Sequence, residues 1–238
     1  MPAINQGGIV NLATYESPVV AGSLAAAFGA NLSSGQASYT AMPLPITLAE
    51  SSFQVAGRNM PLLFASPGQV NMQIPWELAG QQQASVTATV SGQVSSLQTM
   101  SLAAFAPAIF TLDQQGTGQG AVLIAPTAVL AGPQGSGSRP VVPGEYISIF
   151  CTGLGAVSSQ PVTGAAAPAG TLSYTNTKAT VTIGGVAAKV TYSGLAPGFA
   201  GLYQVNAQVP LDAAAGGTVS VAIRINGITS NTVTIAVQ

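Results

Sequence analysis

The sequence predicts an all-β protein built from two tandem copies of one sandwich module. An internal repeat is the first reason: residues 69–75 (QVNMQIP) return 135 positions later as residues 204–210 (QVNAQVP). Short runs that alternate apolar and polar residues, bounded by Gly, Pro or Asn-Gly turns, are the second. No window of about 12 residues shows a helical period, which is the third.

Turn signals order the strands within each copy. In the first copy we expect a short extended segment at residues 9–12 and strands at residues 24–32, 53–55, 60–64, 69–74, 86–90 and 94–102. In the second copy we expect strands at residues 145–152, 180–183, 186–192, 219–225 and 228–237. Gly184-Gly185 and Asn226-Gly227 supply the positive φ angles that two-residue hairpin turns require.

About seven short strands in each copy indicate two immunoglobulin-like β-sandwiches. We expect the first to span residues 8–112 and the second residues 113–238. The connecting segment, residues 105–118, contains the apolar pair Ile109-Phe110. Because flexible linkers lack such apolar anchors, we expect a semi-rigid junction.

The charge content is very low and excludes some partners. The chain has five basic and six acidic residues, about 5% of the total, and a net charge of −1. A nucleic-acid interface needs several cations on one face, and the basic residues are scattered, so we expect no nucleic-acid partner. The longest apolar stretch is interrupted by Pro126 and is too short to span a bilayer.

The residue types also argue against catalysis, metals and cofactors. There is no histidine, so a Ser-His-Asp or Cys-His site cannot form, and zinc lacks its usual ligands. The six carboxylates include no pair close in sequence. We therefore expect no enzyme, no metal and no cofactor. Cys151 is the single cysteine and aligns with Gly29, so we expect a buried, unreactive thiol.

The repeated Gln-x-Asn-x-Gln motif is the first candidate contact surface. Alternation along a strand places its polar side chains on one face; they are Gln69, Asn71 and Gln73 in the first copy and Gln204, Asn206 and Gln208 in the second. Such a row of amides could hydrogen-bond a sugar or a partner strand. Alternatively, the amides satisfy nearby backbone groups, and recurrence in both copies favours this second interpretation.

Aromatic residues are the other candidates. Trp76 stands where the second copy has Leu211. It is either an exposed platform that stacks on a sugar ring or an apolar plug under the end of the sandwich, and the matching leucine favours the plug. Tyr192, Phe199 and Tyr203, around a longer loop of the second copy, form an alternative aromatic cluster.

The strand and turn motifs resemble known families. Residues 143–150 (PGEYISIF), 181–185 (VTIGG) and 205–210 (VNAQVP) resemble IPT/TIG-type immunoglobulin-like domains. From Gly8 onward, the segments 11–13 (NLA), 118–120 (GQG) and 152–155 (TGLG) make the chain similar to the uncharacterised Solibacter-type C-terminal domain. That resemblance implies a position at the end of a large secreted bacterial protein and implies no activity.

We therefore expect a non-catalytic module that is secreted or lies at the bacterial cell surface, as a segment of a longer chain. Its expected role is to space, anchor or present the rest of that protein. A carbohydrate-binding module that uses exposed aromatics is the alternative. Expected partners are other domains of the parent protein and extracellular or cell-surface polysaccharide or protein. Because few charges protect the sheet edges, we also expect weak self-association.

Overall fold

A computed structural model describes residues 1–238 and shows an all-β protein of two tandem immunoglobulin-like sandwiches. The strands of the first module are β1 (Ala3–Asn11), β2 (Val19–Val20), β3 (Leu24–Ala30), β4 (Ala37–Ser38), β5 (Ser51–Val55), β6 (Arg58–Asn59), β7 (Leu62–Ala65), β8 (Gln69–Gln73), β9 (Gln83–Val90), β10 (Gln93–Val94) and β11 (Gln98–Ala103). A single turn of 3-10 helix, Trp76–Leu78, follows β8.

The second module contains the other eleven strands. They are β12 (Ala108–Ile109), β13 (Val122–Ala125), β14 (Val129–Ala131), β15 (Ser138–Arg139), β16 (Tyr146–Thr152), β17 (Thr180–Ile183), β18 (Val186–Leu195), β19 (Tyr203–Gln208), β20 (Gly216–Ile225), β21 (Ile228–Thr229) and β22 (Val233–Val237). None of the helical segments has the length and apolar composition that crossing a membrane requires.

Both modules follow one topology, which confirms the duplication. The sheets of the first module run β1-β3-β8-β7 and β2-β11-β9-β5, and the second module repeats them as β13-β16-β19-β18 and β17-β20-β22. The short β2 pairs in parallel with β11 through Val19 and Leu102. Val141 makes the matching parallel bridge to Val237. Each module encloses its own core, of 21 buried residues in the first and 28 in the second.

The modules differ where the chain crosses between the two layers. In the first module Pro61 separates β6 from β7, because proline has no N–H to donate to a strand ladder. In the second module the corresponding stretch is the unbroken β18, which pairs with β17 at its start and with β19 at its end. The two layers of the second module are therefore joined into one continuous sheet.

All four tight hairpins use the predicted turn chemistry. The central pairs are Ala56-Gly57, Ser91-Gly92, Gly184-Gly185 and Asn226-Gly227, and all eight residues have positive φ. This matches a type I′ turn, whose twist agrees with that of the flanking strands. A serine follows the Ser91-Gly92 hairpin and another follows the Asn226-Gly227 hairpin. Ser95 Oγ accepts the Ala88 N–H, and Ser230 Oγ accepts the Ile223 N–H.

The connecting segment belongs largely to the second module. Ala108–Ile109 pairs with β16, and Asn231 clamps Ile109 by accepting its N–H at 2.7 Å and donating to its carbonyl at 2.9 Å. The first sheet begins at Ala3, before the Gly8 start expected from the sequence. The module boundary at residue 112 stays a prediction. The strand β12 precedes residue 112 but pairs with β16 of the second module.

Candidate functional site

The side chain of Trp76 lies between the two modules. Pro75 follows β8, and the indole on the next turn of 3-10 helix packs into the core of the second module. Trp76 is only 4% exposed and belongs to the apolar core of the second module, together with residues such as Leu154 and Tyr203. The two cores therefore meet at this ring.

A glycine makes room for the ring. Gly22 has φ +82°, a backbone conformation that other residues rarely adopt. A Cβ at Gly22 would collide with the six-membered ring of Trp76. The second-module residue Gly201 is similarly confined, because its added Cβ would lie 2.9 Å from Leu24 and 3.0 Å from the Gly22 carbonyl. The indole thus lies against a turn of its own module, and Gly201 brings the backbone of the second module against the same turn.

Hydrogen bonds from one loop of the second module complete the interface. The Thr163 hydroxyl accepts the backbone N–H of Trp76 at 3.1 Å and donates to the Glu77 carboxylate at 2.8 Å. The Gly164 N–H donates to Gln73 Oε1 at 2.7 Å, and Gln73 is fully buried. The other end of the same amide donates to the Gly22 carbonyl at 3.1 Å.

The energetics of Trp76 favour burial despite one unsatisfied group. Its indole Nε1 is buried and has no hydrogen-bond partner within the chain. An unsatisfied buried donor costs about 1–3 kcal/mol. Burial of roughly 200 Å² of indole surface contributes about 5 kcal/mol. The apolar term exceeds the polar penalty, so the ring stabilises the junction.

Trp76 is therefore a plug, as the sequence favoured, although it plugs the neighbouring module and not its own; the alternative, an exposed stacking platform, is wrong at this residue. The analogy with Leu211 is also wrong, because Leu211 is 82% exposed. The two residues occupy matching positions, but only the first is covered by a neighbouring module. Sequence comparison of the copies could not show this difference, because it depends on packing against a neighbouring module and not on the residues of either copy.

The repeated amides make the same local contacts in both copies. Gln69 Nε2 donates to Asn71 Oδ1 at 2.8 Å, and Gln204 Nε2 donates to Asn206 Oδ1 at 2.8 Å. Gln208 Nε2 donates to the Gly144 carbonyl at 3.0 Å, as Gln73 does to Gly22. The third amide of each motif thus holds a turn; Gln73 is buried, whereas the other five amides remain on a partly open face.

The predicted cluster of Tyr192, Phe199 and Tyr203 does not form an exposed surface. Tyr203 and Tyr192 are buried, and their hydroxyls donate to the carbonyls of Gly155 and Leu195 at 2.5 and 2.6 Å. Burial raises the pKa of both phenols. Phe199 alone is exposed. The strand period that places Tyr203 and Val205 inward in β19 explains this correction.

A groove beside Asn71 brings this predicted contact residue together with aromatic and polar groups that the sequence did not single out. It has a volume of about 270 Å³ and is lined by Leu12, Ala13, Tyr15, Asn71, Phe110, Thr111 and Gln114. The Asn71 Nδ2 group has no hydrogen-bond partner within the chain. Tyr15 packs edge-on against Phe28, with ring centroids 5.5 Å apart. The repeated motif indicates only Asn71; the other lining residues come from distant parts of the chain, so no sequence motif indicates them.

Three charged side chains, Asp113, Arg139 and Glu145, form hydrogen bonds or an ion pair within their own loops. Arg139 and Glu145 form a two-pronged ion pair at 2.7 and 2.8 Å, and Glu145 also accepts the Val142 N–H at 2.8 Å. The bond from Arg139 lowers the pKa of Glu145. A backbone N–H from Gln115 likewise lowers the pKa of Asp113. No cluster of three or more His, Cys, Asp or Glu side chains is placed to hold a metal ion.

Comparisons with known proteins give only distant structural likenesses. No family model and no curated protein matches the chain. Among solved structures, SGBP-B of the Bacteroides ovatus mixed-linkage glucan utilization locus, in complex with a mixed-linkage heptasaccharide, is 11% identical with a TM-score of 0.39. All of this chain aligns, but it spans only 45% of that protein.

Two further structures are similarly remote. Domains 5-6 of the S-layer protein SbsC are 10% identical with a TM-score of 0.27, over 100% of this chain and 98% of theirs. The I9-I11 tandem of titin is 10% identical with a TM-score of 0.25, over 100% and 66%. Likenesses this weak bear on no functional question, and the fold stands on its own strand topology.

Cys151 should resist thiol reagents in the native protein. The side chain is fully buried, and burial raises the pKa of its thiol, so very little reactive thiolate forms. We expect no labelling by a disulfide-exchange reagent at neutral pH and one labelled thiol per chain in denaturant. Stoichiometric labelling of the native protein within minutes would contradict this placement.

The Arg139–Glu145 pair should make stability depend on acid. The pKa of Glu145 is lowered in the folded state, so this pair stabilises the fold above the ordinary glutamate pKa of about 4.3. That contribution disappears as the pH falls through the lowered folded-state pKa. In urea titrations from pH 7 to pH 3, E145Q should lose less stability than the parent chain. An identical pH profile for the two proteins would refute this.

Proposed function

We propose that this chain is a non-catalytic extracellular module that holds other parts of a larger protein at a set distance and orientation. The observation that carries the proposal is the burial of Trp76 in the core of the neighbouring module. Two sandwiches joined only by a tether would reorient freely. Here a shared apolar contact, backbone hydrogen bonds and a pinned connecting segment support a fixed arrangement.

The composition supports an extracellular location. Charged residues make up 5% of the chain, and neutral polar side chains occupy the outward positions of β9. The resemblance to the Solibacter-type C-terminal domain remains part of the proposal and agrees with a secreted parent protein. The role would be mechanical: stiff sandwiches, linked rigidly, transmit position without binding a substrate.

Carbohydrate binding at the Asn71 groove is a second candidate. The specific observation is an amide donor without a partner, Asn71 Nδ2, in a groove that also carries Tyr15 and Phe110. Sugars are commonly bound by one aromatic face and a few planar amides, because hydroxyls can donate to and accept from the same amide. The second copy offers a matched comparison, since Asn206 makes the same contact with Gln204.

Replacing Trp76 by alanine should uncouple the modules. Loss of a buried tryptophan costs about 3–5 kcal/mol, and here that cost falls on the interface. We expect W76A to unfold in two separated transitions and to show a broader range of dimensions in small-angle X-ray scattering. L211A is the matched control and should change stability by less than about 0.5 kcal/mol, because Leu211 is exposed. A W76A protein that stays cooperative and rigid would reject the spacer role.

Glycan binding can be tested without assuming a sugar. The parent chain is applied to a glycan array, and any hit is measured by calorimetry with N71A and N206A. Binding at the groove predicts at least about a tenfold loss in N71A, equivalent to about 1.4 kcal/mol, and no loss in N206A. An array without hits, or equal affinities for the two variants, removes this second candidate.

A further inference from the structure

The interface inside the chain has an uncovered counterpart on the second module. We define the Trp76 face as Val20, Leu24, Gln73, Trp76 and Glu77 of the first module, and the Leu211 face as their matching residues Val142, Tyr146, Gln208, Leu211 and Asp212 of the second. The match follows the repeat alignment and the strand pairing of both sheets. One face is covered by a neighbouring module, and the other is open.

Exposure differs most at the apolar positions. Trp76 is 4% exposed and Leu211 is 82% exposed. Leu24 is 5% exposed and its counterpart Tyr146 is 40% exposed. Val142 is exposed as well, whereas Val20 is buried. Large apolar side chains therefore gather on the Leu211 face at positions that the first module uses to pack against another sandwich.

The polar groups of the two faces differ in the same way. Gln73 Nε2 donates to the Gly22 carbonyl, and Gln73 Oε1 accepts the Gly164 N–H. Gln208 keeps the bond from Nε2 to the Gly144 carbonyl, but its Oε1 accepts nothing within the chain. Thr163 joins the Trp76 N–H to the Glu77 carboxylate. The matching Leu211 N–H and Asp212 carboxylate have no partner within the chain.

The Leu211 face is also held in shape before any partner binds. Gln208 Nε2 fixes the Gly144 turn, and the Gly144 N–H donates to the Val209 carbonyl at 2.9 Å. Glu145, itself held by Arg139, accepts the Val142 N–H. A preformed surface loses less conformational entropy on binding than a mobile one. The bond from Gln208 Nε2 therefore fixes the position of Gln208 Oε1, the acceptor that has no partner within the chain.

We propose that the Leu211 face docks a further β-sandwich module of the same kind, through a loop that presents a threonine followed by a glycine. Its glycine N–H would donate to Gln208 Oε1, and its threonine hydroxyl would bridge the Leu211 N–H and the Asp212 carboxylate. The chain's own Thr163-Gly164 loop cannot fill this role, because the Trp76 face already uses it. The first module has no Thr-Gly pair in its corresponding segment, residues 31–50.

This inference goes beyond the proposed spacer role. Spacing depends only on the junction at Trp76, whereas docking at Leu211 would extend the array in the same orientation. A failed docking experiment would leave the W76A result unaffected, so the two proposals can fail separately.

A three-module chain tests the docking directly. Leu102 and Val237 occupy matching positions beside Val19 and Val141. A second copy of residues 103–238 is therefore joined directly after residue 237. The added copy of the connecting segment then follows the second module in the same way as the original segment follows the first. L211W is introduced into the second module of this chain and into the two-module parent. Docking predicts a blue-shifted emission and a several-fold smaller acrylamide quenching constant for that tryptophan in the three-module chain only.

Controls separate docking from other causes. L97W places a tryptophan at another exposed site and should be quenched equally in both chains. In the three-module chain, Thr163→Val in the added copy removes the two hydrogen bonds of the threonine hydroxyl and should restore quenching at L211W. Equal quenching of L211W in the two-module and unaltered three-module chains overturns the proposal.

Two further measurements cover the remaining outcomes. A synthetic peptide of residues 160–166, added at millimolar concentration to the two-module L211W chain, tests the face without relying on the folding of an added module. A saturable blue shift supports the proposal, and its absence together with unchanged quenching overturns it. Shielding of L211W in the two-module chain that rises with concentration, with a doubled mass in light scattering, would assign the face to a second copy and also overturn the proposal.

Discussion

Burial of the Trp76 indole between the sandwiches is the contact on which the two-module arrangement depends. The ring lies over Gly22, contributes to the core of the second module and brings its backbone N–H to the Thr163 hydroxyl. Besides the ring, the interface contains the close approach of Gly201 to Leu24 and a few hydrogen bonds, each worth about 1 kcal/mol net. Such bonds orient two modules, but apolar burial supplies most of the free energy that keeps them together. Trp76 therefore contributes a large part of that stabilising burial.

Duplication explains how this junction arose from a local contact. In both copies the last glutamine of the strand motif holds the turn before β3 or β16, at Gly22 and at Gly144. Only one end of the amide is needed for that bond. The other end is free to accept a hydrogen bond from outside the module, and at Gln73 it does so. A residue that first stabilises its own turn thus provides, without further change, an acceptor for a neighbour.

The sequence predicts the fold better than it predicts the site. Alternation and turn chemistry are local, so the hairpins at Gly184-Gly185 and Asn226-Gly227 could be located from the residues alone. The duplication was visible for the same reason. Burial of Trp76 was also the favoured prediction, but its entry into the neighbouring module was not visible, because that contact depends on residues far along the chain, such as Thr163. The inward direction of Tyr203 follows from its strand period, but the exposure of Leu211 depends on the absence of a covering module, which no local pattern records.

The low charge of the chain makes the order of docking depend on shape and neutral hydrogen bonds. With five basic residues, ion pairs cannot distinguish one junction from another, and charge patterning, a common source of specificity, is lacking. The chain instead places the large plug in the first module and the Thr163-Gly164 loop in the second. Each module lacks what the other carries, so the two can meet in only one order. The same reasoning requires that any partner of the second module bring its own loop, since the complementary element inside the chain is already engaged.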